Sequence, residues 1–490
     1  MFLNVTNYPK ITPVLCAAMG AAAGFYSFGT LKPKWFLAVL FILFLAFCLF
    51  QALASLDATS RKLRLTVICS IAAAAGFAIG ISAAVGGRNN VTFGIPQEKV
   101  TALEGVLLED PRIISGGRAM AIISLRKSSA AGGLRVSSKG EITVFFPEEN
   151  ALKLRQFGRG TSVFAEGMLR ETETGWVYSA RSMHIVKRAG AIDRMRTGVR
   201  LNLISRFDGK SWGGLALALL VGIRDNLDTN LAVLYRDTGL SHILALSGMH
   251  LAVIASIIAF FLKKPLGLKM SAVIGAVIIF LYCFLVGPMP SLNRSALMYL
   301  LGVFVILGAL PKDPMSVLAL SFILQIIIAP SEGNTISFIL SYLALAGILA
   351  VGQPMISLLS GKVPDILLQP LAASCGAFLA TAAITCLFFD VVIPMGIITG
   401  LILVPLTTVF MTGSMIWLIL DVFSLSGFLN LPMTLLYQLK EKIVTVAGNV
   451  SGISTVPFSV TLILSIILSL LVVVLEYRRR IVLLKVRPFE

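Results

Sequence analysis

Hydrophobic residues along the chain fall into runs of two kinds, and the change from one kind to the other divides it before any residue is given a role. Three continuous apolar runs open the chain, roughly Ile11 to Gly29, Trp35 to Ser55 and Leu63 to Gly86. Each is close to the ~20 residues that a helix needs to cross the hydrocarbon of a bilayer. From Arg88 to about Ala189 the runs shorten: Val100 to Leu108, Ala119 to Arg126, Glu141 to Phe146, Thr161 to Arg170 and Trp176 to Lys187, parted by turn clusters such as Ser115-Gly116-Gly117. That spacing predicts five short strands, enough for a small barrel. Long apolar runs then resume at about His242 to Leu262, Met270 to Val286, Arg294 to Leu310, Met315 to Ala329, Ile336 to Val351, Ile366 to Phe389, Ile393 to Leu420 and Val456 to Leu475.

Between the strands and the later runs, Ala191 to Trp212 has apolar residues at every fourth position: Met195, Val199, Leu203 and Phe207. It predicts an interfacial helix whose Arg194, Arg196, Arg200, Arg206 and Lys210 reach lipid headgroups. Leu215 to Val221 is too short to span and is expected as a broken or re-entrant element, surrounded by protein or water. Lysine and arginine bias puts Arg61, Lys62 and Arg64 in the cytoplasm, the strands outside, and Lys263, Lys264 and Lys269 inside again. A cytoplasmic tail with Arg478, Arg479, Arg480, Lys485 and Arg487 then needs one more crossing. Either Leu429 to Val450 supplies it or Ile393 to Leu420 breaks at Pro405.

The expected fold is a polytopic α-helical membrane protein with an inserted small all-β domain, an OB-like barrel, on the extracytoplasmic side. Its divisions are 1–87, N-terminal transmembrane helices; 88–190, the β domain; 191–212, the amphipathic helix; 213–475, a helical membrane core; and 476–490, a basic cytoplasmic tail.

Composition narrows the class. With 57% hydrophobic and 13% charged residues and a mean hydropathy of +0.90, the chain is too apolar for a soluble protein. A net charge of +17 suits anionic lipid and a polyanionic substrate equally. The six cysteines fall in apolar runs without CxxC spacing, so neither a disulfide framework nor a metal site is expected, and no cofactor. No cleavable signal pattern precedes the first run, which is expected to remain as an anchor. In the β segment, Phe145, Phe146, Phe157, Phe164, Trp176 and Tyr178 are the aromatic residues on hand, and most of them read as barrel core. Trp176 and Tyr178 share one strand face and are the expected exposed platform for stacking nucleotide bases.

Candidate chemistry gathers in Thr238 to Ser256, TGLSHILALSGMHLAVIAS, where His242, Ser247, Gly248 and His250 interrupt apolar sequence. Polar side chains inside a membrane segment are costly unless they face a bundle interior or a watery path. They read either as the lining of a path or as an interfacial His242 and a packed, hydrogen-bonded His250. Eight residues apart on one helix, the histidines would stand roughly 12 Å from each other, too far for a shared zinc. Ser247 and His250 on one turn lack a reliable acid partner, so no catalytic residue and no enzyme activity are expected. A second break, Gly287-Pro288-Met289-Pro290-Ser291, leads to Arg294. With Ser291 as N-cap, the helix start and the arginine form a phosphate station, or else Arg294 snorkels to headgroups. Arg224 and Asp225 are expected to hold the short broken element by a local ion pair.

Three stretches, ALALLVGIRDNL, YRDTGLSHILALSGMHLAVIA and GPMPSLNRSALM, together resemble the membrane core of the ComEC family of DNA-uptake proteins. Ser295 replaces an alanine of the family pattern, and Ile339 stands where a glutamine is usual. The resemblance implies a channel in the bacterial cytoplasmic (inner) membrane that moves single-stranded DNA inward during natural transformation. Its path would be lined by His242, Ser247, Gly248, His250, Ser291 and Arg294. No HxHxDH cluster and no GxxxxGK[ST] loop occurs, so the resemblance is to the form without a metallo-β-lactamase-like domain, and a separate ATP-driven motor, DNA receptor and nuclease are expected as partners besides membrane lipid. Two rivals remain: a secondary transporter or lipid-handling permease for a small anion, and a membrane-bound enzyme using Ser247 and His250.

Overall fold

The computed structural model describes residues 12–28, 60–86, 91–114, 117–130, 135–172, 175–287, 289–311, 313–450 and 457–486. The expected run Trp35 to Ser55 lies outside them. The first described helices, α1 (Pro13–Phe28) and α2 (Ser60–Gly86), pack with almost no side chain between them. A Cβ at Gly20 would come within 2.0 Å of the Ala73 carbonyl oxygen, and one at Gly76 within 1.9 Å of that of Ala17. Gly24 and Gly80, one turn further on, are as tight. Glycines four apart on both helices let the backbones approach, which is how helices associate where lipid removes the hydrophobic drive.

The β segment folds into β1 (Val100–Leu107), β2 (Arg112–Ile113), β3 (Ala119–Ala130), β4 (Arg135–Ser137), β5 (Glu141–Phe146), β6 (Ser162–Thr172) and β7 (Gly175–Lys187), with α3 (Glu148–Arg155) between β5 and β6. The five longer strands are those that the alternation predicts. They run in the order β1-β6-β7-β5-β3, and pairing of β3 with β1 closes the barrel. The β5–β7 pair is parallel and the rest are antiparallel, an OB-like arrangement. Leu103, Ile123, Val144, Phe146, Val163 and Ala165 fill it.

Tyr178 also points into the barrel and is fully buried, its hydroxyl donating to the Thr101 carbonyl at 2.8 Å. It offers no stacking platform. Trp176 is half-buried and meets Phe93 edge to face at 6.1 Å. Period-two alternation fixes that the two share a face but not which face. The outward aromatics are instead Phe145 and Phe164, each half-buried, and the Arg135 guanidinium lies 5.4 Å from the Phe164 ring centre.

The helical part comprises α4 (Ala191–Phe207), α5 (Gly213–Val221), α6 (Thr229–Asp237), α7 (Ser241–Leu244), α8 (Gly248–Val286), α9 (Pro290–Leu307), α10 (Pro314–Ile328), α11 (Pro330–Gly333), α12 (Ile336–Gly347), α13 (Gln353–Leu359), α14 (Asp365–Phe389), α15 (Met395–Val422), α16 (Asn430–Val450) and α17 (Phe458–Val486). Seven stretches among the described residues are long and apolar enough to cross a membrane, from Ile68–Gly86 to Phe458–Arg479. The chain is a multi-pass membrane protein. The 39-residue α8 unites two of the expected runs, and at Gly267 (φ 76), just after Pro265, it folds back. Leu251 thereby clusters with Ile279 and Val286, and the tip carries Lys263, Lys264 and Lys269. The helix α15 passes through Pro405 unbroken, and Asn430–Val450 forms the helix α16, which is not one of the seven stretches long and apolar enough to cross. The short α5 is buried along most of its length and ends at Gly222 (φ 72), as an element too short to span must.

The helix α4 departs from expectation at Phe207 and at three of its arginines. Met195 and Val199 stay exposed, but Phe207 is buried against Trp212 and Trp417. Arg196, Arg200 and Arg206 turn to carboxylates rather than headgroups. Arg206 pairs with Asp421 at 2.7 Å. Arg196, 3% exposed, grips Asp110 of the barrel with both terminal nitrogens, at 3.1 and 2.5 Å, and donates to the carbonyls of Phe284, Leu285 and Val286 at the end of α8. Arg200 adds a 2.6 Å contact to Asp110. Burial alone would raise the Asp110 carboxyl; the Arg200 charge, then the Arg196 hydrogen bond and charge, and the Arg159 N–H outweigh it and hold it below the usual carboxylate range.

Two outcomes follow from this packing. Gly76→Leu forces α1 and α2 apart and lowers the thermal midpoint of the purified protein, whereas Gly86→Leu, in open space, leaves it unchanged. Asp110→Ala strands Arg196 and costs about 3–5 kcal/mol, the cost of breaking a buried ion pair. Because the folded carboxyl titrates lower than the unfolded one, the joint's contribution is complete above about pH 4 and is lost as pH falls through the lower folded value. Hydrogen exchange at residues 284–287 against pH measures it.

Candidate nucleic-acid path

The stretch expected to begin a span at His242 is broken. After α7 the chain extends through Ala245 (ψ 131) to Ser247 (φ −135, ψ 179), and α8 begins only at Gly248. His242 stays on α7, exposed, so the two histidines do not share a helix. Ser247 opens α8 in a reciprocal cap. Its N–H donates to His250 Nδ1 at 3.0 Å, and its Oγ lies 3.3 Å from the same nitrogen. An imidazole that accepts at Nδ1 carries its proton on Nε2. That Nε2 is buried and has no hydrogen-bond partner.

The start of α9 meets the start of α8. Met289 is the N-cap residue and Pro290 the first in the helix. Ser291 is therefore not the cap; its hydroxyl donates to the Leu246 carbonyl across the gap between the two helix starts. The Ser295 hydroxyl donates to Ser291 O at 2.9 Å, and a Cβ on Gly248 would come within 2.9 Å of it. Gly248 is small because α9 occupies that space. The end of α5 closes the third side, where a Cβ on Gly222 would lie 2.7 Å from Leu246 and 3.6 Å from Met289. Two helix starts thus converge with the positive ends of their dipoles, a setting that attracts anions.

Arg294 lies in the first turns of α9, 3% exposed, with its guanidinium 5.3 Å from the centre of the Tyr342 ring. Its Nε and Nη1 have no hydrogen-bond partner. It does not snorkel to headgroups. The ring beneath it is fixed: the Tyr342 hydroxyl donates to Gln325 Oε1 at 2.9 Å, and Gln325 Nε2 donates to Glu332 at 2.7 Å and to Pro290 O at 3.2 Å. Asn293 holds the other Glu332 oxygen at 2.9 Å. Sequence reasoning missed Gln325 and Glu332, whose signal was an amide inside an apolar run and an acid just after it.

It missed Lys440 as well. This residue of α16 is 1% exposed, its Nζ 4.7 Å from the centre of the Phe410 ring and without a hydrogen-bond partner. Among the described residues, His250, Arg294 and Lys440 are the basic side chains with buried nitrogens left unpaired. His250 is 0% exposed, so no water-sized space touches it.

The remaining expected residues serve the frame. Arg224 and Asp225 are divided between two tasks. Arg224 donates to the Leu244 carbonyl at 3.0 Å, holding the loop before α8. Asp225 accepts from the Ile113 N–H of the barrel at 3.3 Å and stands 4.0 Å from Arg200. Among the described residues no three His, Cys, Asp or Glu side chains group closely enough to hold a metal ion.

A search of curated proteins finds no match to the chain. Residues 219–480, more than half of its 490, match the family model described as competence protein, and this segment holds His242, Ser247, Gly248, His250, Ser291, Arg294 and Lys440. A multi-pass helical core built around two converging helix starts, preceded by a closed β-barrel, is thus that of a protein of DNA uptake, and the chain belongs to the competence protein family.

Proposed function

We propose that the chain is a gated conduit in the bacterial cytoplasmic membrane that passes single-stranded DNA inward during natural transformation, and that it is not an enzyme. The observation that carries this reading is the pair of helix starts at Gly248 and Pro290, with His250 Nε2 and Arg294 buried beside them and unpaired. An unpaired buried charge costs several kcal/mol. A backbone phosphate relieves that cost at Arg294 with a planar fork of donors and at His250 with one N–H. Two weak stations also let the strand leave, which conduction requires. Opening must part the start of α8 from that of α9, and Gly222 and Gly287, both at positive φ, flank those starts as hinges. On the outer side, Phe145, Phe164 and Arg135 of the barrel are placed to receive bases and phosphates. The drive, the capture of DNA and the degradation of the second strand come from partner chains: an ATP-driven motor, a receptor and a nuclease.

The serine-histidine pair speaks for a cap rather than a nucleophile. His250 Nδ1 is occupied by the Ser247 N–H, and no acid stands behind Nε2 to orient the ring as hydrolysis by a serine would need. A permease that closes on a small anion is the second reading, favoured by the complete burial of His250.

In a host whose transformation needs this gene, Arg294→Ala and His250→Ala each lower transformation frequency about 10- to 100-fold at unchanged membrane protein level, the loss expected for one charge-assisted hydrogen bond. Arg294→Lys keeps part of it, since the charge remains and the fork does not. Full transformation in both alanine variants removes the site assignment. Full transformation after deletion of the gene removes the conduit and leaves the small-anion reading.

A further inference from the structure

Lys440 has no role in the frame just described, and its position is physically expensive. Its helix α16 has an outer face, where Leu435, Leu439 and Val446 are exposed, and Lys442 two residues on is exposed as well. Lys440 points the other way, onto Phe410, a member of the core cluster that also holds Met411, Met433, Val444 and Ile254, the last one turn beyond His250 on α8. An ammonium on a long flexible stem reaches water or headgroups when it can. Here it rests on the face of Phe410 alone, and a ring face returns only part of what burial of the charge costs. A methionine would fill the same space without that cost.

The neighbourhood points to an anion. Phe410 under Lys440 and Ile254, one turn beyond His250, belong to one hydrophobic core, so Lys440 and His250 border the same core. Both groups present donors, both are almost fully buried, and neither has an acceptor. A buried group that has donors and no acceptor is stabilised when an acceptor with negative charge reaches it.

We propose that Lys440 is a third phosphate-binding cation of the path, which carries the backbone of the strand from the helix starts at Gly248 and Pro290 onto α16. The proposal rests on the DNA-uptake reading and extends it to an element that sequence comparison of motifs leaves aside. Lys440 acts as a point charge with three donors, which suits a strand that slides, whereas the Arg294 fork fixes orientation.

The test uses the full chain in lipid nanodiscs and a short fluorescein-labelled oligothymidylate, with anisotropy followed over a series of salt concentrations. Lys440→Met weakens binding roughly tenfold and makes the slope of log K against log salt shallower by about 0.7, the change for one lost phosphate contact on a single strand. Lys440→Arg retains most of the binding. Lys442→Met, the same change of net charge at an exposed position, alters neither affinity nor slope. The thermal midpoint of Lys440→Met is equal to or above that of the wild type, because an uncompensated charge has been removed from the core. If Lys440→Met binds with wild-type affinity and slope, the proposal fails and the DNA-uptake reading stands. If the wild type itself does not bind the oligothymidylate, both fail together.

Discussion

A charge inside a bundle surrounded by hydrocarbon must find its counter-charge or its donors and acceptors within the protein, and that requirement orders the whole core. The contrast between Arg196 and Arg294 shows how. Each is 3% exposed. Arg196 is fully employed, by the Asp110 carboxylate and by three carbonyls at the end of α8. Arg294 has a ring face and two idle nitrogens. The same side chain, buried to the same degree, is fully bonded in one place and left with idle donors in the other. Burial alone would not tell them apart; the count of partners does.

The two arginines are also linked through the backbone. Arg196 holds the last carbonyls of α8, and a Cβ on Gly287 would come within 2.8 Å of its Nη2. The residues after Gly287 lead directly into α9 and its Arg294. Asp110, on the barrel side of the same contact, therefore bears on the break that positions Arg294. A shift of the barrel relative to α8 changes the angle at which α9 starts. The short α5 works on the same point from the opposite side through Gly222, Leu246 and Met289. Rigid ends of several elements meet at one place, and that place is where the unpaired donors are.

Much of this was legible in the sequence because the signals are periodic or compositional. Strands came from alternation, spans from length and hydropathy, and the buried fate of Leu215 to Val221 from its being too short to leave protein. What stayed hidden depends on which of two equivalent options the tertiary structure takes. Alternation put Trp176 and Tyr178 on one face without saying that it was the inner one. Ser291 had the chemistry of a cap, but Pro290 already fits the first turn and the serine hydroxyl found the Leu246 carbonyl instead. The Arg224–Asp225 pair adjoined in sequence, yet a carbonyl and a barrel N–H lay nearer to hand. Lys440 was hidden for the opposite reason. One lysine beside Glu441 and Lys442 reads as a solvated face, and only packing shows that it turns away from its neighbours.

The closed state of the site is consistent with a conduit once the direction of the energetics is considered. A conduit of the kind proposed must not dissipate the ion gradients of its membrane, so its resting conformation has to exclude even water, and at His250 no water-sized space remains. A ligand moves such an equilibrium only by its difference in affinity for the two states. Unpaired buried donors supply that difference. They make the closed state less stable than it would be with apolar residues in their place, and they gain a partner only when phosphate is present. On this reading the polyanion itself tips the gate, and a neutral or cationic solute, which offers these donors nothing, leaves it shut. For a conduit of the kind proposed, the cost of burying His250, Arg294 and Lys440 without partners is then the source of selectivity, since the larger that cost, the more a phosphate that satisfies these donors gains over a solute that does not.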